Sequence, residues 1–222
     1  MFAENRSSFS LTPHWRRLFS CLTYTMIAPH HIGVLLAAGR GSRMGSTKQL
    51  KLWPAAGGPI PLICAAYDAI RPICGEIVVV LGHDSEKVAA ALASRPFKRA
   101  TSSADVPMGE SICVGLRMAA AIGARATVVL QPGDHPEVAE RTLRTLISES
   151  LMSPAQAVIP QYDGRGGHPA LIPAAVVQAI LATSCPEGLK QFWADFPHLS
   201  RRLVVDDPSV IRDIDTLADL PH

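Results

Sequence analysis

The stretch LLAAGRGSRMGSTKQL, Leu35–Leu50, follows the apolar run Ile32–Leu35 and decides how the chain is read. It sets Gly39, Gly41 and Gly45 among the cations Arg40, Arg43 and Lys48. Glycine lets backbone N–H groups crowd a ligand, and the cations supply positive charge, so the loop suits a polyphosphate. Its spacing departs from the two common glycine loops. A Walker loop needs Gly-Lys-Ser/Thr, whereas Gly45 is followed by Ser46 and Thr47 before Lys48. A dinucleotide fingerprint needs a third glycine three residues after the second, and here Gly45 comes four after Gly41. Up to three cations fit a triphosphate whose pyrophosphate must leave, because charge grows on the leaving group. The competing reading is a surface loop of ordinary solvated basic residues.

Outward from this loop, short apolar runs alternate with helical patterns. Residues 32–37, 76–82, 126–131, 155–160 and 201–206 read as strands. Residues 62–69, 85–93, 110–122, 136–149 and 173–183 read as helices, followed by 186–196 and 216–220. Strand–helix alternation predicts a three-layer α/β/α, Rossmann-like fold with a mostly parallel sheet. Ligands of such sheets sit beyond the carboxyl ends of the strands. The glycine loop stands at one such end, and Gln131–Pro136, QPGDHP, stands at another.

The chain has 222 residues, enough for one domain with a full core, expected over 31–222. Residues 1–30 read as an extension outside that domain or as an upstream start, with Met26 the true first residue; Arg16-Arg17 before Leu18–Ile27 also fits a targeting segment. The net charge is +2, and Arg6, Arg16 and Arg17 against Glu4 account for all of it. A neutral body argues against a nucleic-acid coat. No apolar run approaches the roughly 20 residues that span a bilayer. Five scattered cysteines without a C-x-x-C pair read as reduced thiols of a cytoplasmic protein.

The pattern L-A-A-G-x-G-x-R-M-G-x-x-K resembles the opening of the MobA-like nucleotidyltransferases and, among them, the molybdenum cofactor cytidylyltransferases. The resemblance continues in order through VVVLGHDSEKV (78–88), PMGESICVGL (107–116), VVLQPGDHPEV (128–138), YDGRGGHPALIP (162–173) and VDDPSVIRDIDTLADL (205–220). Pro107 stands where the family usually has Gly, His135 where it has Gln, and Leu217-Ala218 where it has Pro-Glu.

The resemblance implies transfer of CMP from CTP to the phosphate of molybdopterin, with release of pyrophosphate and with Mg2+ or Mn2+ as cofactor. Nothing covalent is then asked of the protein, only positioning and charge neutralisation. Gly39, Gly41 and Gly45 with Arg43 and Lys48 would hold the phosphates, with Lys48 the cation nearest the α-phosphate. Leu36, Ala37 and Ala38 would border the base; in the family A-A-G goes with cytidine and G-G with guanosine. Ser111 would reach the base or ribose, or else be a cap or a core hydroxyl. Asp134, just past a strand end, suits a hard cation, or else caps a helix starting near Pro136. Asp213 or Asp215 would bring a second carboxylate to the metal, or else Asp215 or Thr216 would cap the last helix. Asp206 and Asp207 read as a turn before Pro208. Arg165 and His168 would meet the anionic end of the acceptor, or else belong to a glycine-rich turn.

Two variants keep the chemistry and change the substrate: GTP as donor, or another phosphorylated acceptor. A non-catalytic carrier that hands cofactor to a molybdenum hydroxylase would bind pterin without turnover or any effect of Mg2+. A nicotinamide oxidoreductase is disfavoured by the broken dinucleotide spacing and would show itself by NAD(P)H absorbance instead of pyrophosphate.

Overall fold

Strand β1 (His31–Ala37) is apolar at nearly every position because both of its faces are covered. The computed structural model describes residues 31–39, 47–103 and 105–220; the expectations for residues 1–30 and for Gly41, Arg43 and Gly45 fall outside them. β1 pairs in parallel with β4 (Glu76–Leu81) on one side and β6 (Thr127–Pro132) on the other. β4 carries the parallel edge strand β5 (Lys98–Thr101). Beyond β6 lies β9 (Ala170–Ile172), antiparallel both to β6 and to β7 (Ala157–Tyr162). β7 pairs in parallel with β10 (Ser200–Val204), giving the order β10-β7-β9-β6-β1-β4-β5, and β8 (Arg165–Gly166) folds back on β7. A separate hairpin joins β2 (Leu52–Trp53) to β3 (Ile60–Pro61).

Side chains alternate across this sheet and build two cores. Ile32, Val34, Val78, Val80, Val128 and Leu130 meet α3 (Met108–Ile122), α5 (Ala174–Thr183) and α6 (Leu189–Asp195) on one face. Leu35, Ala37, Ile77, Val79 and Val129 meet α1 (Leu62–Ile70), α2 (Ser85–Ala91) and α4 (Glu140–Met152) on the other. α3 lies close on the sheet because of Gly115, where a Cβ would come within 2.5 Å of Val34 Cγ1. The mostly parallel α/β architecture is the one expected.

Several local expectations are corrected. β5 escaped notice because Lys98-Arg99 make it a charged edge, and β9 because three residues between Pro169 and Pro173 carry no periodicity. α4 begins at Glu140 rather than Pro136, so Asp134 caps no helix. The segment expected as a helix over 216–220 is a single 3₁₀ turn, Leu217–Asp219. Asp215 and Thr216 do not cap it; the Asp219 carboxylate accepts from both of their backbone N–H groups.

Asp207 is buried and joins two distant ends. Its carboxylate accepts from Ser209 N and Ser209 Oγ within its own turn, and from Ala139 N at 2.9 Å and Thr142 Oγ1 at 2.6 Å at the start of α4. Burial pushes its pKa up, but these hydrogen bonds outweigh burial and hold it below the ordinary carboxylate value. A carboxyl depressed in the folded state stabilises above its unfolded pKa, and that contribution is lost as pH falls through the folded value. Asp207→Asn is therefore expected to cost about 2 kcal/mol at pH 7 in urea unfolding, with the gap from wild type narrowing on acidification below about pH 4.

Candidate functional site

The carboxyl ends of β1, β4 and β6 point the same way, and the chain leaves β1 toward β4 on one side and returns to β6 on the other. Loops part at this switch point and leave a crevice. The cleft there has a volume of about 540 Å3, within the range of small-molecule sites. Its walls include Leu36, Ala38 and Gly39 at the carboxyl end of β1, Pro132 and Asp134 at that of β6, and Ser111 on α3. Ala37 is not among them. Strand alternation turns its methyl into the opposite core, so of the two alanines expected at the base only Ala38 faces the cleft.

Beyond the undescribed part of the glycine loop, a 3₁₀ turn, Lys48–Leu50, brings the chain back to the cleft. The Thr47 hydroxyl donates to the Asp84 carboxylate, and Gln49 Nε2 donates to the Gly39 carbonyl at 3.2 Å, tying the far end of the loop to its start. Lys48 is only 7% exposed. Its ammonium donates to Asp134 Oδ2 at 2.8 Å and to Asp215 Oδ1 at 2.6 Å. Burial alone would lower the lysine pKa; the hydrogen bonds and charges of the two carboxylates outweigh it, and the pKa stands above the ordinary value.

Asp134 and Asp215 are 81 positions apart and converge through the C-terminal segment. Ile214 N–H donates to the Asp134 carbonyl at 3.1 Å. The Ile214 side chain is fully buried among Trp53, Leu62 and Ala65, a burial worth about 2 kcal/mol. Arg212, 5.7 Å above the Trp53 ring and 3.5 Å from Glu137, holds the segment from its other end. With Ile214 turned into the core, Asp213 and Asp215 on either side reach different partners in the cleft. Asp215 meets Lys48, and Asp213 meets His135 Nε2. The hydrogen bond from His135 keeps the Asp213 carboxyl below its ordinary pKa, with burial opposing.

The two carboxylates on Lys48 fit a divalent cation. They already converge on one positive centre, and Asp134 Oδ1 is buried without a hydrogen-bond partner. Among the described residues no group of three or more His, Cys, Asp or Glu could hold a metal. Two carboxylates nevertheless suffice for Mg2+, which keeps waters and phosphate oxygens. Asp213, engaged with His135, is not one of the pair.

The other expected residues divide. Ser111 is buried in the cleft wall, its hydroxyl 2.9 Å from that of Ser102. His168 lines the cleft, its ring meeting His135 edge to face at 5.0 Å. Arg165 is exposed on β8 and lies outside the cleft lining. Gln49, Leu189 and Lys190, which line the cleft, were not anticipated. Lys190 lies on α6 without a motif around it, and only the His-for-Gln departure at His135 signalled anything in the sequence.

This geometry has counterparts among known proteins. Rv0371c of Mycobacterium tuberculosis H37Rv is 30% identical, superposes with a TM-score of 0.71, and the match covers 86% of this chain and 95% of that one. Its manganese complex, at 28% identity and a TM-score of 0.68, has the same coverage. A nucleotidyl transferase from Methanothermobacter, 23% identical with a TM-score of 0.69 over 86% of this chain and 94% of that one, shares the fold. The bifunctional protein GlmU of Syntrophotalea carbinolica is 36% identical over 117 residues, 52% of this chain and about a quarter (24%) of that longer protein. The sequence profile of the MobA-like NTP transferase domain matches residues 33–202. With the cleft at the sheet's switch point and that match over most of its length, the chain belongs to the MobA-like NTP transferase family and is a nucleotidyltransferase.

Proposed function

We propose that this nucleotidyltransferase moves CMP from CTP to the phosphate of molybdopterin, with Mg2+ as cofactor. The observation that carries the reading is the Lys48 ammonium gripped by Asp134 and Asp215 where the glycine loop returns to the cleft. It sets one cation and two carboxylates at the place where an NTP tail would enter.

Asp134 and Asp215 would hold Mg2+, which when bound supplies Lewis-acid neutralisation of the triphosphate; the manganese complex of a 28% identical relative supports a divalent ion here. Lys48 would pair with phosphate oxygens near the α-phosphorus and stabilise charge that develops as pyrophosphate departs. Gly39 N–H, with Gly41, Arg43 and Gly45 of the loop, would cradle the outer phosphates. Gln49 would tie the two described ends of the loop together through the Gly39 carbonyl. Ala38 at the base end favours the smaller pyrimidine, and Ser111, its hydroxyl bonded to that of Ser102, would reach the base or ribose. The phosphate of the acceptor would attack in line once both substrates are held, and alignment accounts for much of the rate.

Pyrophosphate release with each NTP in turn, with molybdopterin as acceptor, is expected with CTP, to stop with EDTA and to return with Mg2+. Release with GTP in place of CTP would reassign the base, and binding of molybdopterin without release would make the chain a carrier. Lys48→Ala is expected to lower kcat by about 100-fold or more, and Asp215→Asn to raise the Mg2+ concentration needed for half-maximal rate. An unchanged rate in Lys48→Ala would remove that residue from the chemistry.

A further inference from the structure

A second group of side chains in the cleft, beside the Lys48 cluster, is built differently from it. His135 is 3% exposed, and Asp213 takes its Nε2. His168 donates to the Leu130 carbonyl, and its backbone N–H donates to the Val210 carbonyl at 2.7 Å. Both rings line the cleft, and in both the Nδ1 atom is buried with no hydrogen-bond partner. Buried polar atoms without partners are rare in folded proteins, and each calls for an explanation.

The chemistry of His168 narrows what would satisfy it. Burial, reinforced by the neighbouring His135, pushes its pKa down to about 3 against the opposing pull of Asp213 and the Leu130 carbonyl, so the ring is neutral at physiological pH. A neutral imidazole whose Nε2–H is committed to a carbonyl has only a lone pair left at Nδ1. That lone pair accepts a hydrogen bond and repels an anion. The Asp213 carboxylate, paired with His135 Nε2, adds to that repulsion, while Lys190 supplies a cation elsewhere in the cleft lining. His168 Nδ1 is therefore a poor direct contact for a phosphate or another anionic group, whereas the sequence reading set His168 at the anionic end of the acceptor.

Resting on the proposed function, we propose that His168, held by His135, is a specificity-determining residue that accepts a hydrogen bond at Nδ1 from an uncharged N–H or O–H group of the acceptor. The acceptor then lies with its phosphate toward Lys48 and its neutral, donor-bearing end toward the two histidines. An amino-substituted heterocycle such as a pterin has such an end.

Two measurements on the full chain test this. In ¹⁵N NMR of the imidazoles, His168 is expected as the Nε2–H tautomer with bare Nδ1 from pH 5 to 8. A neutral pterin is expected to shift that Nδ1 resonance, and inorganic phosphate at equal concentration to leave it in place. A protonated His168, an Nδ1–H tautomer, a response to phosphate or silence to every donor-bearing acceptor that the enzyme turns over would each overturn the proposal. In kinetics, His168→Gln keeps a donor near Nε2 and loses the Nδ1 acceptor, whereas His168→Asn keeps an acceptor near Nδ1. The Gln variant is expected to raise the acceptor KM about tenfold and leave the Kd for CTP unchanged, with a smaller rise for Asn. Equal effects of the two variants, an unchanged acceptor KM in His168→Gln, or a parallel loss of CTP affinity would refute it. Turnover of a different phosphorylated acceptor would sink molybdopterin as substrate, and the same NMR and kinetic readouts with that acceptor would still decide the role of His168.

Discussion

One ammonium group between two carboxylates organises this cleft. Lys48 comes from the turn after the glycine loop, Asp134 from the end of β6 and Asp215 from the C-terminal segment. A buried lysine is costly unless it is paired, and two partners at 2.8 and 2.6 Å meet that cost. The same arrangement leaves the carboxylates in excess by one charge, with Asp134 Oδ1 unpartnered. A structure that sought only stability would have satisfied that oxygen. A buried carboxylate oxygen left without a partner is the kind of exception that functional sites carry.

The C-terminal segment makes this possible through a hydrophobic contact. Ile214 is fixed among Trp53, Leu62 and Ala65, on the hairpin and on α1, and its neighbours on either side are thereby aimed at separate targets. Asp207 does a related task further back, pinning the approach to this segment to the start of α4. The polar chemistry at the cleft thus rests on apolar anchoring and a buried carboxylate behind it, which is how a first layer of functional groups is held to narrow tolerances.

Two neighbouring groups of side chains in the cleft differ in character. Around Lys48, charge is concentrated and mutually compensated. Around His168, a buried ring offers a lone pair at Nδ1 in place of a cation, and the Asp213 carboxylate is engaged with His135. A substrate with one anionic and one hydrogen-bond-donating end is oriented by such a contrast before any shape complementarity is counted.

By itself the sequence determined the architecture, because apolar runs at period two and helical stretches at period 3.6 leave few ways to bury both. It also singled out the glycine loop, Lys48 and Asp134 as candidates, since glycine, cations and a carboxylate at strand ends carry their chemistry locally. It left open whether Asp134 capped a helix, which of Asp213 and Asp215 joined the Lys48 cluster, and how His168 was partnered. Those depended on where α4 started, on Ile214 finding its pocket across the chain, and on the burial of an imidazole beside a carbonyl. Only the tertiary structure decided them, because burial and partnership across more than 80 residues have no periodicity for a sequence to display.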